Sequence, residues 1–211
     1  ISKDYLFLFP NQDLYSDLYH GAQLRFIVKP TWANGKEMQM TQPSLINPIP
    51  FAFSRELLMN DEPIFITEGS VDGLSTSREF AANPGVETYF KPYLGLFRGK
   101  KVYVAYDMDK AGQKATYGYQ TFSYYNKKRQ KTVTHIFVNT KAGRSKAEAL
   151  LLRYRKWASF TPNITKQKGL LENLKDAGIN ASALWWAETL GNDLNELRQK
   201  YGELKNEFFL I

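Results

Sequence analysis

The sequence predicts an α/β protein with a mainly parallel sheet flanked by helices, preceded by a small β-rich N-terminal subdomain. Two apolar runs, residues 63–67 and 101–106, have the length and the β-branched and aromatic content of buried parallel strands. Acidic residues and then a helix-like segment follow each run directly. Because ligands of open α/β sheets bind at the carboxyl ends of the strands, this order predicts a functional site at that edge.

Four acidic residues are the first candidates for this site. Glu68 and Asp72 follow the first predicted strand, and Asp107 and Asp109 follow the second. Carboxylates gathered at one edge repel each other unless a cation neutralises them, and Mg²⁺ prefers such hard oxygen ligands. The alternative is that these acids only cap the helices that follow.

A fifth candidate ligand lies near the end of the chain. Asp193 belongs to the segment Gly-Asn-Asp-Leu-Asn at residues 191–195, just before a helix-like stretch. It could join the other carboxylates, or it could serve only as the N-cap residue of that helix.

Together the three acidic segments resemble the Toprim domain, the catalytic module of bacterial-type primases, topoisomerases and certain nucleases. The matching features are a strand ending in Glu68-Gly69 with Asp72 nearby, a second strand ending in Asp107-x-Asp109, and a late Gly-x-Asp-x-Asn segment at 191–195. The resemblance covers roughly residues 60–200 and implies a Rossmann-like fold.

The residues before this region are similar to the N-terminal subdomain of bacterial replicative primases. The similarity lies in Phe9-Pro10, Asp13, the glycine-led run ending at Arg25, and the aromatic segment at 51–53. It implies an N-terminal primase-like subdomain at 1–58 and a Toprim catalytic domain at 59–211. The alternative is that residues 1–58 form an unrelated β-rich cap.

The resemblance implies a DNA primase core that synthesises short primers on single-stranded DNA from nucleoside triphosphates. Glu68, Asp107 and Asp109 would be catalytic and would hold two Mg²⁺ or Mn²⁺ ions, and a replicative helicase would be a partner. One alternative is a Toprim-type nuclease, since the same carboxylates could activate water. Another is a primase-like DNA-binding domain without catalysis.

Positive charge is concentrated in one segment. Residues 127–156 have a net charge of +9, which leaves −2 for the rest of the chain. Such a stretch could contact a phosphate backbone or could be an ordinary solvated surface. Together with Arg25, the predicted nucleic-acid-binding residues are Lys127, Lys128, Arg129, Lys131, Lys141, Arg144, Lys146, Arg153, Arg155 and Lys156.

The predicted order of elements contains an insertion at about 127–160. A strand at 133–138 and a basic helix at 145–157 would interrupt the parallel-sheet domain. The alternative is that the strand at 133–138 is itself the last strand of the family pattern, in which case Asp193 would lie too far downstream to match it. The remaining predicted elements are strands at 5–9, 23–29, 86–90 and 183–187, helices at 70–80, 92–97, 110–125 and 165–177, and a loop-rich passage at 30–50.

Composition restricts the cellular setting. The chain of 211 residues contains no Cys, so it can form neither a disulfide nor a Cys-rich zinc module. It has no signal-peptide pattern and no apolar run near the roughly 20 residues of a membrane helix. These features are compatible with a reducing cytosol and predict no membrane partner. Together with the resemblance to primases, they imply a cytoplasmic protein of bacterial, phage or plasmid replication.

Overall fold

A computed structural model of the chain describes residues 6–12, 19–29, 31–32, 37–41, 59–83, 91–155, 162–205 and 208–209. The strands are β1 (Leu6–Gln12), β2 (Tyr19–Phe26), β3 (Glu37–Thr41), β4 (Ile64–Thr67), β5 (Phe80–Ala82), β6 (Lys101–Ala105), β7 (Gly118–Asn126), β8 (Lys131–Val138), β9 (Asn163–Lys168) and β10 (Asn180–Ala183). The helices are α1 (Ser70–Ser75), α2 (Lys110–Tyr117), α3 (Lys141–Arg155), α4 (Leu170–Asp176) and α5 (Leu194–Tyr201), with a 3₁₀ segment at Lys91–Phe97.

A four-stranded parallel sheet in the order β10-β6-β4-β5 is the centre of the structure. The two predicted parallel strands, β4 and β6, are its middle neighbours. Their side chains alternate between the two faces of the sheet, and residues on both faces are buried. The prediction of a mixed α/β protein with a parallel sheet flanked by helices is therefore confirmed.

Each face of the parallel sheet packs against its own hydrophobic core. Ile66 and Val104 contribute to one core, which also contains Leu174 of α4. Ala105 contributes to the other, where Trp186 is fully buried. The indole N–H of Trp186 donates a 2.8 Å hydrogen bond to the carbonyl of Gly191, which satisfies the only polar atom of this side chain.

A separate antiparallel sheet in the order β8-β7-β9 interrupts the parallel-sheet domain between α2 and α4. The chain leaves through Gly118 and returns through Gly169, and a Cβ on Gly169 would lie 2.2 Å from the nitrogen of Gly118. The two ends of this unit, residues 118–168, are thus adjacent in space. The unit begins before, and ends after, the predicted insertion at 127–160.

Two helix predictions around this unit were wrong. The predicted helix at 110–125 ends at Tyr117, because Gly118 takes the positive φ of +73° and the chain continues as β7. The predicted helix at 165–177 begins only at Leu170, since β9 pairs antiparallel with β7. The pairing between β7 and β9 decides both cases, and it joins residues that are distant in sequence.

Smaller differences affect the ends of other elements. The last parallel strand is β10 and not the predicted strand at 183–187, and β5 was not predicted. The helix predicted at 70–80 ends at Ser75, whereas the short helix at 92–97 corresponds to the 3₁₀ segment. The predicted strand at 86–90 lies outside the described residues.

The N-terminal strands form a third sheet. The order is β1-β2-β3, and both pairings are antiparallel. Two of these strands correspond to the predictions at 5–9 and 23–29, whereas β3 lies in the passage predicted as loop-rich. Asp13 and the aromatic segment at 51–53 lie outside the described residues.

Within the described ranges, no helix combines the length and the apolar character required to cross a membrane.

We expect Gly118→Ala to destabilise the chain more than an ordinary glycine replacement. Alanine at this position must adopt a positive φ, which costs roughly 1–2 kcal/mol, and its Cβ would lie 2.2 Å from the carbonyl oxygen of Gln167. Gly178→Ala is a matched control, because φ is +78° there and no atom lies within 4 Å of the added Cβ. Denaturant unfolding measures the stability of both variants. Equal losses of stability would show that the close contact at Gly118 adds no cost.

Candidate active site

The parallel pairing of β4 and β6 brings the two acidic segments together. Thr67, the last residue of β4, is in register with Ala105, the last residue of β6. Glu68 follows β4 directly, and Asp107 follows β6 after one further residue. Both acids therefore leave the sheet at its carboxyl edge, from neighbouring strands.

Asp72 lies in the first turn of α1 and connects this helix to the end of the chain. Its Oδ1 atom accepts a 3.1 Å hydrogen bond from the backbone N–H of Asn195. A second bond, 3.3 Å long, joins the Ser75 hydroxyl to the Asn195 side chain. These contacts hold the beginning of α5 against α1, across more than 100 residues of sequence.

Asp193 is the N-cap residue of α5. Its Oδ1 atom accepts a 2.6 Å hydrogen bond from the backbone N–H of Glu196. The Glu196 carboxylate in turn accepts a 2.7 Å bond from the N–H of Asn192, which completes a reciprocal capping arrangement. The carbonyl of Asn192 accepts a 2.8 Å bond from the N–H of Met108, so this segment lies beside the Asp107-x-Asp109 loop.

Asp109 caps α2 and is exposed to solvent. Its Oδ1 atom accepts a 2.8 Å hydrogen bond from the backbone N–H of Gly112. Gly112 is buried, and a Cβ there would lie 2.2 Å from the carbonyl oxygen of Asp107. Only glycine allows the first turn of α2 to lie this close to the backbone that carries Asp107.

The electrostatic properties of Asp107 show that all five predicted acids lie in one neighbourhood. Burial raises the pKa of this carboxyl group to about 8, with contributions from the negative charges of Glu68, Asp72, Asp193 and Asp109. Asp107 is only partly exposed, so water does not fully screen these charges. The negative charges of the other four acids all act on the carboxyl group of Asp107.

A buried polar pair lies beside these acids, and sequence reasoning did not identify it. The side-chain amide of Asn83 donates a 2.7 Å hydrogen bond to the Tyr106 hydroxyl, and both residues are almost fully buried. Burial raises the pKa of Tyr106, the Asn83 bond lowers it, and the charge of Glu68 raises it further. The one available signal was position, because Asn83 also follows a strand of the sheet, β5.

The donor set of this acidic cluster, which comprises Glu68, Asp72, Asp107, Asp109 and Asp193, consists of carboxylate oxygens. Within the described part of the chain, no three Asp, Glu or His side chains stand close enough together to form a ready metal-binding group. Hard oxygen donors match Mg²⁺ or Mn²⁺ in chemical type.

The predicted basic residues lie on the interrupting unit and are exposed wherever the structure describes them. Lys127, Lys128 and Arg129 form the turn between β7 and β8, and Lys131 begins β8. Lys156 lies outside the described residues. The other predicted basic residues of the unit belong to α3, namely Lys141, Arg144, Lys146, Arg153 and Arg155.

The basic turn and the end of α3 approach the same tyrosine. The hydroxyl of Tyr124 donates a 3.0 Å hydrogen bond to that of Tyr154 on α3, and this bond raises the pKa of Tyr124. The positive charges of Arg129 and Arg153 both act on Tyr124 in the opposite direction. Basic residues from two separate elements therefore lie close together at this end of the unit.

Arg25 belongs to the N-terminal antiparallel sheet. It is on β2, in register with Phe7 of β1 and Glu37 of β3, and it is partly exposed. Its charge is not among those that change the pKa of Asp107.

Comparison with known proteins gives no family assignment. No protein-family model matches the chain, and no curated protein sequence matches it.

Replacing Asp107 by Asn should change how stability depends on pH. The folded-state pKa of about 8 lies above the ordinary 3.8, so the folded chain holds an extra proton between these values and loses stability as the pH rises through them. Asp107→Asn cannot ionise, so in EDTA at pH 8 it should be more stable than the parent by at least about 1 kcal/mol. Denaturant unfolding at pH 5 and pH 8 measures the difference.

Asp61→Asn is the control for this measurement. Asp61 is exposed and precedes the amino end of β4, whereas the acidic cluster lies at the carboxyl end. We expect its pH dependence to follow that of the parent chain. The electrostatic explanation would be contradicted if the pH dependence of the unfolding free energy changed equally in both variants, or did not change in Asp107→Asn.

Proposed function

We propose that the chain is the catalytic core of a Toprim-type DNA primase, which joins nucleotides on a single-stranded DNA template. The observation that carries this proposal is the convergence of acidic segments at the carboxyl edge of a parallel sheet, where Glu68 and Asp107 follow neighbouring strands and the segment of Asp193 is bonded to Met108. Burial, and then the negative charges of the other four acids, raise the pKa of Asp107. Perturbed ionisable groups in such a position are typical of catalytic sites.

The order of acids along the fold supports the Toprim interpretation. Glu68 and the pair Asp107 and Asp109 follow adjacent parallel strands, and Asp193 reaches the same edge through the Asn192–Met108 backbone bond. The interrupting unit at 118–168 departs from the minimal family pattern, but it enters and leaves through adjacent glycines. The acidic edge is therefore compatible with such an insertion.

Glu68, Asp107 and Asp109 would bind two divalent ions, with Asp72 and Asp193 beside them. When bound, Mg²⁺ or Mn²⁺ would supply charge stabilisation at the phosphate groups of the nucleotide. The acids themselves would have fixed orientations, because Asp109 and Asp193 are anchored by the helix ends they cap and Asp72 by the N–H of Asn195. The partly buried Asp107 must release its proton before it can act as a ligand.

The first requirement of this proposal is that divalent metal binds to the acidic cluster. Calorimetry with Mg²⁺ or Mn²⁺ should detect binding that is weakened at least tenfold in Glu68→Gln, Asp107→Asn and Asp109→Asn, since each change removes one charged ligand. Asp61→Asn should bind as the parent does. Unchanged binding in all three cluster variants would exclude the metal site.

The second requirement is template-directed synthesis. With single-stranded DNA, nucleoside triphosphates and Mg²⁺ or Mn²⁺, the chain should produce short oligomers, and Asp109→Asn should reduce this activity at least a hundredfold. Asparagine is as good an N-cap residue as aspartate, so the variant can keep the bond to Gly112 while losing the charge. Its unfolding temperature should stay near that of the parent.

The outcome of the same assay separates the alternatives. Degradation of the template without synthesis would indicate a Toprim-type nuclease, in which the metal site activates water. Binding of both metal and DNA without either reaction would indicate a domain that has kept the fold and lost catalysis.

A further inference from the structure

One face of the β8-β7-β9 sheet is largely exposed among the described residues, although Lys114 of α2 lies over the ring of Tyr119 at one end of it. Its side chains alternate along each strand, and two hydroxyl contacts identify the residues that share this face. Thr121 and Thr165 are 2.5 Å apart, and Ser123 and Thr134 are 2.9 Å apart. We call it the open face, and it comprises Tyr119, Thr121, Ser123 and Tyr125 of β7, Thr132, Thr134 and Ile136 of β8, and Asn163, Thr165 and Gln167 of β9.

The opposite face of the same sheet packs against α3 along β7 and β8, whereas Ile164 of β9 on that face is 44% exposed. Phe122 and Ala147 are buried there, and the bond between Tyr124 and Tyr154 joins strand to helix. On the open face, by contrast, Tyr125 is 60% exposed and Ile136 is 48% exposed. The helix therefore stabilises the sheet from one side and leaves aromatic, aliphatic and hydroxyl groups accessible on the other.

Charge indicates what kind of partner fits the open face. Residues 118–168 contain twelve Lys and Arg but only one acidic residue, Glu148 of α3. Lys127, Lys128 and Arg129 lie in the turn beside the open face, whereas the other basic residues belong to the opposite face of the sheet or to the segment of α3 and its end. A second copy of so basic a unit would be repelled, whereas a polyanion would be attracted. The turn with Lys127 and Lys128 follows Tyr125 almost directly, so cationic groups adjoin the exposed ring.

We propose that the open face binds single-stranded nucleic acid. One base stacks on the ring of Tyr125, neighbouring bases meet the hydroxyl and amide groups of the strands, and the phosphate backbone passes Lys127 and Lys128. A duplex does not fit this mode, because its bases already stack within the helix. The inference deepens the proposed function, on which it rests for the substrate class, by assigning the template a surface outside the acidic cluster.

Fluorescence anisotropy with a labelled oligothymidine tests this surface. Measured in EDTA, binding is independent of metal and catalysis, so failure of the proposed function and failure of this inference are distinguishable. Tyr125→Ala should weaken binding roughly tenfold or more, since stacking on an aromatic ring contributes about 1–3 kcal/mol per base. Tyr125→Phe keeps the ring and should bind within about twofold of the parent.

Salt dependence separates the phosphate contacts from stacking. The Lys127→Gln, Lys128→Gln double variant should flatten the slope of log K against log salt by about 1.4, at about 0.7 per lost contact with a single strand. Tyr125→Ala should lower affinity without changing the slope. If Tyr125→Ala fails to fold, Thr132→Glu tests the proposal in its place. This variant places a negative charge opposite Tyr125 on the open face and should abolish oligonucleotide binding.

Variants on α3 provide the matched control. Leu152→Ala removes a side chain as exposed as Tyr125, at 62%, from the helix that packs on the other face, and it should bind normally. The proposal would be overturned if Tyr125→Ala bound the oligonucleotide as tightly as the parent and the Arg153→Gln, Arg155→Gln double variant flattened the salt dependence. The binding surface would then be α3. The proposal would also be overturned if the parent bound no oligonucleotide and formed a dimer that Thr132→Glu disrupts. That result would show that the open face binds a second copy of the chain.

Discussion

Repulsion among like charges at the carboxyl edge of the parallel sheet is the constraint around which the candidate site is built. The pairing of β4 with β6 places Glu68 near Asp107, and the backbone bond between Met108 and Asn192 brings the segment of Asp193 to the same place. The hydrophobic cores on both faces of the sheet hold this arrangement together. A proton on Asp107 relieves part of the repulsion at neutral pH, and a divalent cation would relieve more of it.

Helix capping and clustering of charge occur in the same residues. Asp109 and Asp193 each accept a hydrogen bond from the N-terminus of a helix, and each also contributes negative charge at Asp107. The positive end of a helix favours a nearby anion, so capping offsets some of the cost of gathering carboxylates. In the sequence, helix capping and a place in the acidic cluster are alternative roles for Asp109 and Asp193. In the structure, each side chain caps a helix and also contributes charge to the cluster.

The interrupting unit carries the excess positive charge of the protein on elements other than those that carry the acidic cluster. Gly118 and Gly169 allow two backbone segments to approach more closely than any other residues would, so the unit can be inserted while α2 and α4 stay adjacent to the parallel sheet. Its basic residues then lie on a sheet and helix of their own. The proposed metal binding and the proposed nucleic-acid binding can therefore be tested by substitutions that do not overlap.

The sequence alone determined the features that depend on neighbouring residues. Ile64 and Val102 begin apolar runs that predict buried parallel strands, and the acids after each run predict a charged edge. Asp109 and Asp193 were recognisable as N-cap residues, because capping depends on the three residues that follow. Short-range patterns of this kind can be read directly along the chain.

Only the tertiary structure decided which distant segments meet. The polar β9 gives no strong strand signal by itself, and it becomes a strand because β7 supplies hydrogen-bond partners 40 to 50 residues away. Likewise, the bond from Asn195 to Asp72 and the buried pair Asn83 and Tyr106 join parts of the chain whose spacing carries no pattern. Long-range pairing and burial depend on the packing of the whole chain, and for that reason local sequence could not predict them.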